Sequence, residues 1–211
     1  MVWTVTGLVD LDRRRFLAGS AALAGGLVLG APALARPADS ALLATAKREL
    51  ARAGRKVWLS DMVGIADFSL PSSEPRFFLV DIQSGLVRPF LVAHGKGSDP
   101  EHDGWLKSFS NDPGSLATSR GAYVTQRWYD GKYGTSMRLA GLDADNDHAN
   151  DRAIVMHGAW YANPAMITEW GKLGRSEGCF ALPEVNLMEV MARLGPGRLL
   201  FADKLPISTS G

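Results

Sequence analysis

The stretch "RFFLVDIQSGLVRPFLVAHG", residues 76–95, decides the fold class. Two apolar, β-prone runs flank Gln83-Ser84-Gly85, so the chain is expected to run out, turn and return as a hairpin. Pro89 sits inside the second run. Proline donates no ladder hydrogen bond, which predicts an edge position or a bulge there. Outward from this hairpin the pattern repeats. "KVWLSDMVGIADFS" (56–69) reads as a strand and a loop. "GAYVTQRWY" (121–129), "TSMRLAGL" (135–142), "RAIVMHG" (152–158) and "GRLLFAD" (197–203) are further short extended runs. Such strands, punctuated by turn residues, predict a mainly β, mostly antiparallel sandwich or barrel.

Helices are few in this reading. "ADSALLATAKRELARAGRK" (38–56) places Leu42, Leu43, Ala46 and Leu50 on one face, with Asp39 or Ser40 as cap and Gly54 as stop. Two short helices are expected near Ala165–Trp170 and Val185–Leu194.

The N-terminus speaks to location. Arg13, Arg14 and Arg15 precede Phe16-Leu17, then a small-residue apolar run ends at Ala33-Leu34-Ala35. Basic, apolar and A-x-A parts in that order make an export signal, and the arginine pair resembles the twin-arginine type. The expected division is an export signal at 1–35, a helix and lead-in at 36–56, and one domain at 57–211. Export to the periplasm or cell envelope follows, with no membrane span left after cleavage. Residues 1–35 hold three arginines and two aspartates, so the remainder carries equal numbers of acidic and basic residues. That balance excludes a basic nucleic-acid footprint.

Cys179 is the only cysteine in 211 residues. A lone cysteine is either a small buried apolar residue or a nucleophile. In an exported chain, where cysteines usually pair, an odd thiol points to reactivity. His157 ends an apolar strand 22 residues earlier and is the expected proton acceptor. An activated thiol in such a pairing is expected to titrate below its ordinary value of about 8.5. Gly178 allows close backbone approach, and the Gly178 and Cys179 N–H groups are candidate oxyanion donors. Arg175 is a candidate carboxylate binder.

Other chemistries fit less well. "DADNDHANDRAI" (143–154) alternates acidic and amide residues like a calcium loop, but His148 and Ile154 stand where glycine and glutamate are required. It reads better as a polar loop bonding its own backbone. The four histidines show no tight zinc pair, and "AHGKGSDPEHDG" lacks the end of a phosphate loop.

"AIVMHGAWY" (153–161) and "GKLGRSEGC" (171–179) together resemble the YkuD-like catalytic domain of murein L,D-transpeptidases, in the branch with HGA-x-Y and GRS-x-GC motifs. "SFSNDPGSLATSRGAYVT", "YDGKYGTSMRLAGLD" and "NDHANDRAIVMHG" are similar to further blocks of that branch, so the resemblance spans roughly 77–203. It implies Cys179 as nucleophile, His157 as base and the Gly158 carbonyl as orienter of the imidazole. It also implies Ser176 and Arg175 as residues that shape the pocket. The implied reaction is thioester-mediated transfer between peptidoglycan stem peptides, by a monomer needing no metal or cofactor. A carboxypeptidase or other wall hydrolase of the same fold, and a wall-binding module without catalysis, are the alternatives. Glu177 and Phe180 depart from the usual pattern. An acidic Glu177 facing the thiol would raise its pKa, and one facing solvent would not.

Overall fold

The structure, a computed structural model, describes residues 37–206. The export-signal reading therefore falls outside the described residues. Eight strands form one mixed sheet: β1 (Met62–Asp67), β2 (Phe77–Asp81), β3 (Val87–Phe90), β4 (Gly121–Gly131), β5 (Gly134–Gly141), β6 (Val155–Gly158), β7 (Phe180–Leu182) and β8 (Leu199–Asp203). Their spatial order is β3-β2-β1-β8-β4-β5-β6-β7. Three α-helices accompany them: α1 (Pro37–Ala53), α2 (Pro164–Trp170) and α3 (Glu184–Leu194).

The mainly β reading holds, and the strands join as one continuous sheet. Most neighbours are antiparallel, but β1 pairs β8 and β6 pairs β7 in parallel. The hairpin of residues 76–92 forms as β2 and β3, with Pro89 opposite Phe78. β3 is an edge strand, so the missing proline N–H leaves no ladder bond unmade.

Alternation along the strands sorts side chains onto two faces. Phe77, Leu79, Tyr123, Met137, Leu139, Met156 and Phe180 share one core with Leu187, Val190, Met191 and Leu194 of α3. Val63, Ile65, Val80, Ala122, Leu199 and Phe201 point to the other face, where α1 covers them with Leu42 and Ala46. Leu43 and Leu50 pack at the margin of that contact, as the helical spacing predicts. The helix begins before the expected cap, leaving Asp39 in the first turn, where its charge favours the helix dipole. Gly54, at φ +55°, ends the helix.

α1 touches β1, β2, β3 and β8, one half of its face. Over the far edge of the sheet, the segment after β6 packs Ala159, Ala162 and Leu173 against Ala93 and Ala181. A strip across β4, β5, β6 and β7 lies between. Beside it, β4 is bulged between Thr125 and Trp128, which bends the hairpin of β4 and β5.

An ion pair clasps α1 to the sheet. Arg52 holds Asp143 through both of its terminal nitrogens, Nη2 at 2.9 Å, and Asp143 Oδ2 also accepts the Ala122 N–H at 2.7 Å. These bonds, the one from Arg52 foremost, hold the Asp143 carboxyl below its usual range. A depressed folded-state pKa contributes stability that is complete above the unfolded value of about 3.9 and is lost as pH falls through the folded value. Asp143→Asn should lower Tm at neutral pH and flatten its decline below about pH 4. Thermal melts across that range check this; an unchanged slope would contradict it.

Candidate active site

The β6–β7 pairing builds the site. Its register sets Met156 opposite Phe180 and His157 opposite Ala181. Met156 and Phe180 both enter the α3 core. Their neighbours must therefore point the other way, which puts Val155, His157, Cys179 and Ala181 on the face that α1 half covers. Cys179 lies one step before β7, beside Val155, and is diagonal to His157 on that face.

The imidazole is fixed by its own strand. His157 is buried, and its Nδ1 is 2.9 Å from the Gly158 carbonyl oxygen. A carbonyl only accepts, so Nδ1 carries the proton and Nε2 keeps its lone pair. Burial pushes the His157 pKa down, against a smaller opposing effect of the Gly158 bond. Tyr133, at the tip of the β4–β5 hairpin, stacks on the ring with centroids 4.5 Å apart and planes 20° apart.

The other three histidines are spoken for. Arg76, itself fully buried, donates from Nη2 to His94 Nδ1 at 2.7 Å, which leaves the His94 Nε2 proton facing Asp99 Oδ2 at 3.3 Å. Burial and the Arg76 charge hold His94 neutral. His102 Nε2 contacts the Leu173 carbonyl, and His148 Nδ1 the Asn111 carbonyl.

Cys179 is 7% exposed, with Sγ 3.6 Å from the Ala153 carbonyl oxygen. Ala153 takes φ +51°, a left-handed conformation that costs a non-glycine residue about 1 kcal/mol or more. Desolvation is the main influence on the thiol and raises its pKa; a backbone bond from Val155 and the Arg152 charge pull it down by less. The expectation of a thiol depressed below its ordinary value is therefore corrected by burial.

Glu177 is a minor contributor to that rise. Its side chain is largely exposed and accepts from Lys96 Nζ at 3.0 Å, which offsets its charge. Phe180 is a core residue, edge-on to Tyr123 at 5.5 Å, and faces away from the thiol.

The approach to Cys179 is held by backbone contacts. Ser176 donates its N–H to the His94 carbonyl and accepts the Lys96 N–H through its own carbonyl, each at 2.8 Å. Its hydroxyl donates to the Cys179 carbonyl at 2.7 Å and accepts the Gly178 N–H at 3.2 Å. The Gly178 N–H thus has a partner before any substrate arrives. Gly178 stands at φ +116°, and a Cβ there would meet the Ala117 carbonyl oxygen at 2.8 Å. A Cβ on Gly95 would strike the Gly178 backbone, also at 2.8 Å. Arg175 donates Nη1 to the carbonyls of Asp99 and Pro100, tying this loop to its neighbour.

Three further residues lie in stretches that carry the resemblance but were given no role by the sequence reading. Tyr133 is one. Tyr161, the last residue of the HGAWY stretch, is close enough to Cys179, Tyr133 and Glu177 for their charges to add to the rise that burial gives its hydroxyl pKa. Arg152 donates to the carbonyls of Ser110 and Ala117 and to the hydroxyls of Ser115 and Ser119, and it would touch a Cβ on Gly178 at 3.4 Å. The 143–154 segment is the self-bonded polar loop expected: the Asp143 N–H donates to Asn146 Oδ1 and the Asn146 N–H to the Asp143 carbonyl. Its carboxylates diverge, Asp143 to Arg52 and Asp145 to Arg120.

A raised thiol and a lowered imidazole mean that both groups are neutral near pH 7 in the free protein. Iodoacetamide should therefore alkylate Cys179 slowly at neutral pH and faster on the alkaline side, with an apparent pKa above about 8.5. Rates measured from pH 6 to 10 check this; rapid labelling with a midpoint below that value would contradict it.

The helical cell shape determining protein Pgp2 from Campylobacter jejuni, as a substituted form, matches at 16% identity and a TM-score of 0.46, over 81% of this chain and 58% of that one. An L,D-transpeptidase from Mycobacterium smegmatis matches at 14% identity and 0.41, over 68% and 58%. L,D-transpeptidase 3 from Mycobacterium tuberculosis matches at 12% identity and 0.42, over 68% and 60%. The chain thus covers about three-fifths of the length of these solved structures. No protein of curated function matches the sequence. The model of the L,D-transpeptidase catalytic domain matches residues 36–202, nearly all of the described chain, and the protein belongs to that family.

Proposed function

We propose that the protein is a cysteine-dependent peptidoglycan L,D-transpeptidase, with Cys179 as nucleophile and His157 as general base. The observation that supports this reading is the parallel β6–β7 register, with Met156 opposite Phe180 and His157 opposite Ala181; strand alternation continued one step to Cys179 gives its side chain and that of His157 the same face. The His157 Nδ1 contact to Gly158 supports it, because it leaves Nε2 basic.

In the first step His157 Nε2 takes the thiol proton while Sγ attacks the carbonyl between the third stem residue and the terminal D-alanine. The carbon–nitrogen bond breaks, the departing D-alanine amine takes the proton from His157, and a thioester remains. In the second step an acceptor amine gives a proton to His157 and attacks the thioester. The carbon–sulfur bond breaks and Sγ recovers its proton. The Cys179 N–H is assigned to the oxyanion, and the Gly178 N–H joins it by giving up its 3.2 Å bond to Ser176. Arg175 and Ser176 brace the loop that carries these donors. Both reacting groups start neutral, so proton transfer accompanies attack and no standing thiolate is exposed to oxidation.

The substrate class agrees with export through residues 1–35, by the twin-arginine route, to the periplasm or envelope where peptidoglycan lies. No helix among the described residues is long and apolar enough to cross a membrane.

The test incubates the protein and its Cys179→Ala variant with purified disaccharide-tetrapeptides and follows products by mass spectrometry. Cross-linked dimers lacking one D-alanine, absent with the variant, are expected. Tripeptide monomers alone would make water the acceptor and the protein a carboxypeptidase. No Cys179-dependent product on any stem would overturn catalysis and leave a wall-binding module.

A further inference from the structure

We propose that Arg138 forms a carboxylate-binding subsite that holds the donor stem upstream of the bond to be broken. The inference rests on the transpeptidase reading and deepens it by naming an acidic stem as the preferred donor.

Strand register puts Arg138 on the reacting face. β5 pairs antiparallel with β6, with Ser136 opposite His157 and Arg138 opposite Val155. Met137 between them enters the α3 core, so Ser136 and Arg138 turn to the His157 side. Arg138, Val155 and Cys179 therefore form one row across three adjacent strands. Two strand spacings separate the backbones of Arg138 and Cys179, about 10 Å. Two residues extended at about 3.3 Å each, together with a carboxylate-bearing side chain, cover that gap.

The guanidinium is held but unpaired. Its carbon lies 4.5 Å from the centre of the Tyr129 ring, a cation–π contact that orients the plane. Its Nε is buried without a hydrogen-bond partner. Among the described residues Arg138 makes no ion pair, in contrast to Arg52, Arg120, Arg193 and Arg198, each of which meets a carboxylate. A buried donor without a partner carries a cost that a ligand carboxylate would remove.

Arg138 also lines an open groove of about 660 Å³ with Trp58, Gln126, Arg127 and Pro196. No carboxylate lines that groove, and Arg127 adds a second cation where β4 is bulged. Trp58 is 76% exposed and gives it an apolar wall. Two guanidinium groups and an open indole suit an acidic peptide with aliphatic stretches. Arg175, by contrast, spends Nη1 on backbone carbonyls. The carboxylate recognised is one that amidation of the second or third stem residue would abolish.

Titration calorimetry tests this in the Cys179→Ala background, where turnover cannot interfere. The ligands are disaccharide-tetrapeptides with both stem carboxylates free, with the second residue amidated, or with the third amidated. One amidated form should bind roughly tenfold more weakly than the free acid, identifying which carboxylate is read. Adding Arg138→Gln should weaken the free acid by a similar factor and leave that amidated ligand unchanged. Arg138→Lys should recover part of the loss, and melts should show all variants folded. Equal affinity for all three ligands with Arg138 intact, no binding of any at millimolar concentration, or equal losses on all three from Arg138→Gln would each overturn the subsite. An Arg138-dependent preference in a protein without Cys179-dependent turnover would keep the subsite and overturn the transferase. Turnover indifferent to amidation would do the reverse.

Discussion

The structure depends on one pairing, the short parallel ladder between β6 and β7. β7 is three residues long, yet its register with β6 decides where Cys179 points. A slip of one residue would send Cys179 into the α3 core and lift Phe180 out of it. Burial of Phe180 against Tyr123 and Met156 opposes that slip, since exposing such a ring costs roughly 1.5–3 kcal/mol. The hydrophobic core thus aims a residue that is not part of it.

Two further constraints hold the thiol loop in depth. The Gly95 and Gly178 backbones approach too closely for any side chain at Gly95, so residues 93–97 act as a template for 176–178. Behind that template, Arg76, His94 and Asp99 form a buried chain in which a neutral imidazole separates a cation from an anion. Because each buried polar atom there has a partner, removing any one would strand the others. On the open side Tyr133 leans on His157 from a hairpin tip whose flanking glycines, Gly131 and Gly134, carry no side chains to crowd it.

Much of this was legible from the residues. The hairpin around Gln83–Gly85, the edge placement of Pro89 and helices near 165–170 and 185–194 follow from periodicity and turn chemistry, which are local. The polar character of 143–154 was legible for the same reason. β7 was not, because three residues show no period. The parallel junctions were hidden as well, since nothing in a strand's own sequence names its partner. Arg138 was invisible for a related cause: its relation to Cys179 passes through Val155 and two ladders. The thiol's raised pKa ran against expectation because burial is a tertiary property, and near Cys179 it outweighs the Val155 backbone bond and the Arg152 charge, with Glu177 adding a little to the rise.

What unites the site is that main-chain atoms do the positioning. A carbonyl takes the place of a carboxylate behind His157, so the imidazole is oriented without gaining a negative charge that would raise its pKa. That arrangement rests on one proton being on Nδ1. Nitrogen-15 NMR of histidine-labelled protein near pH 7, with His157→Asn used to assign the resonance, reads this directly. A His157 signal from a neutral ring protonated at Nδ1 is the predicted result; an Nε2-protonated or fully charged ring would contradict the account.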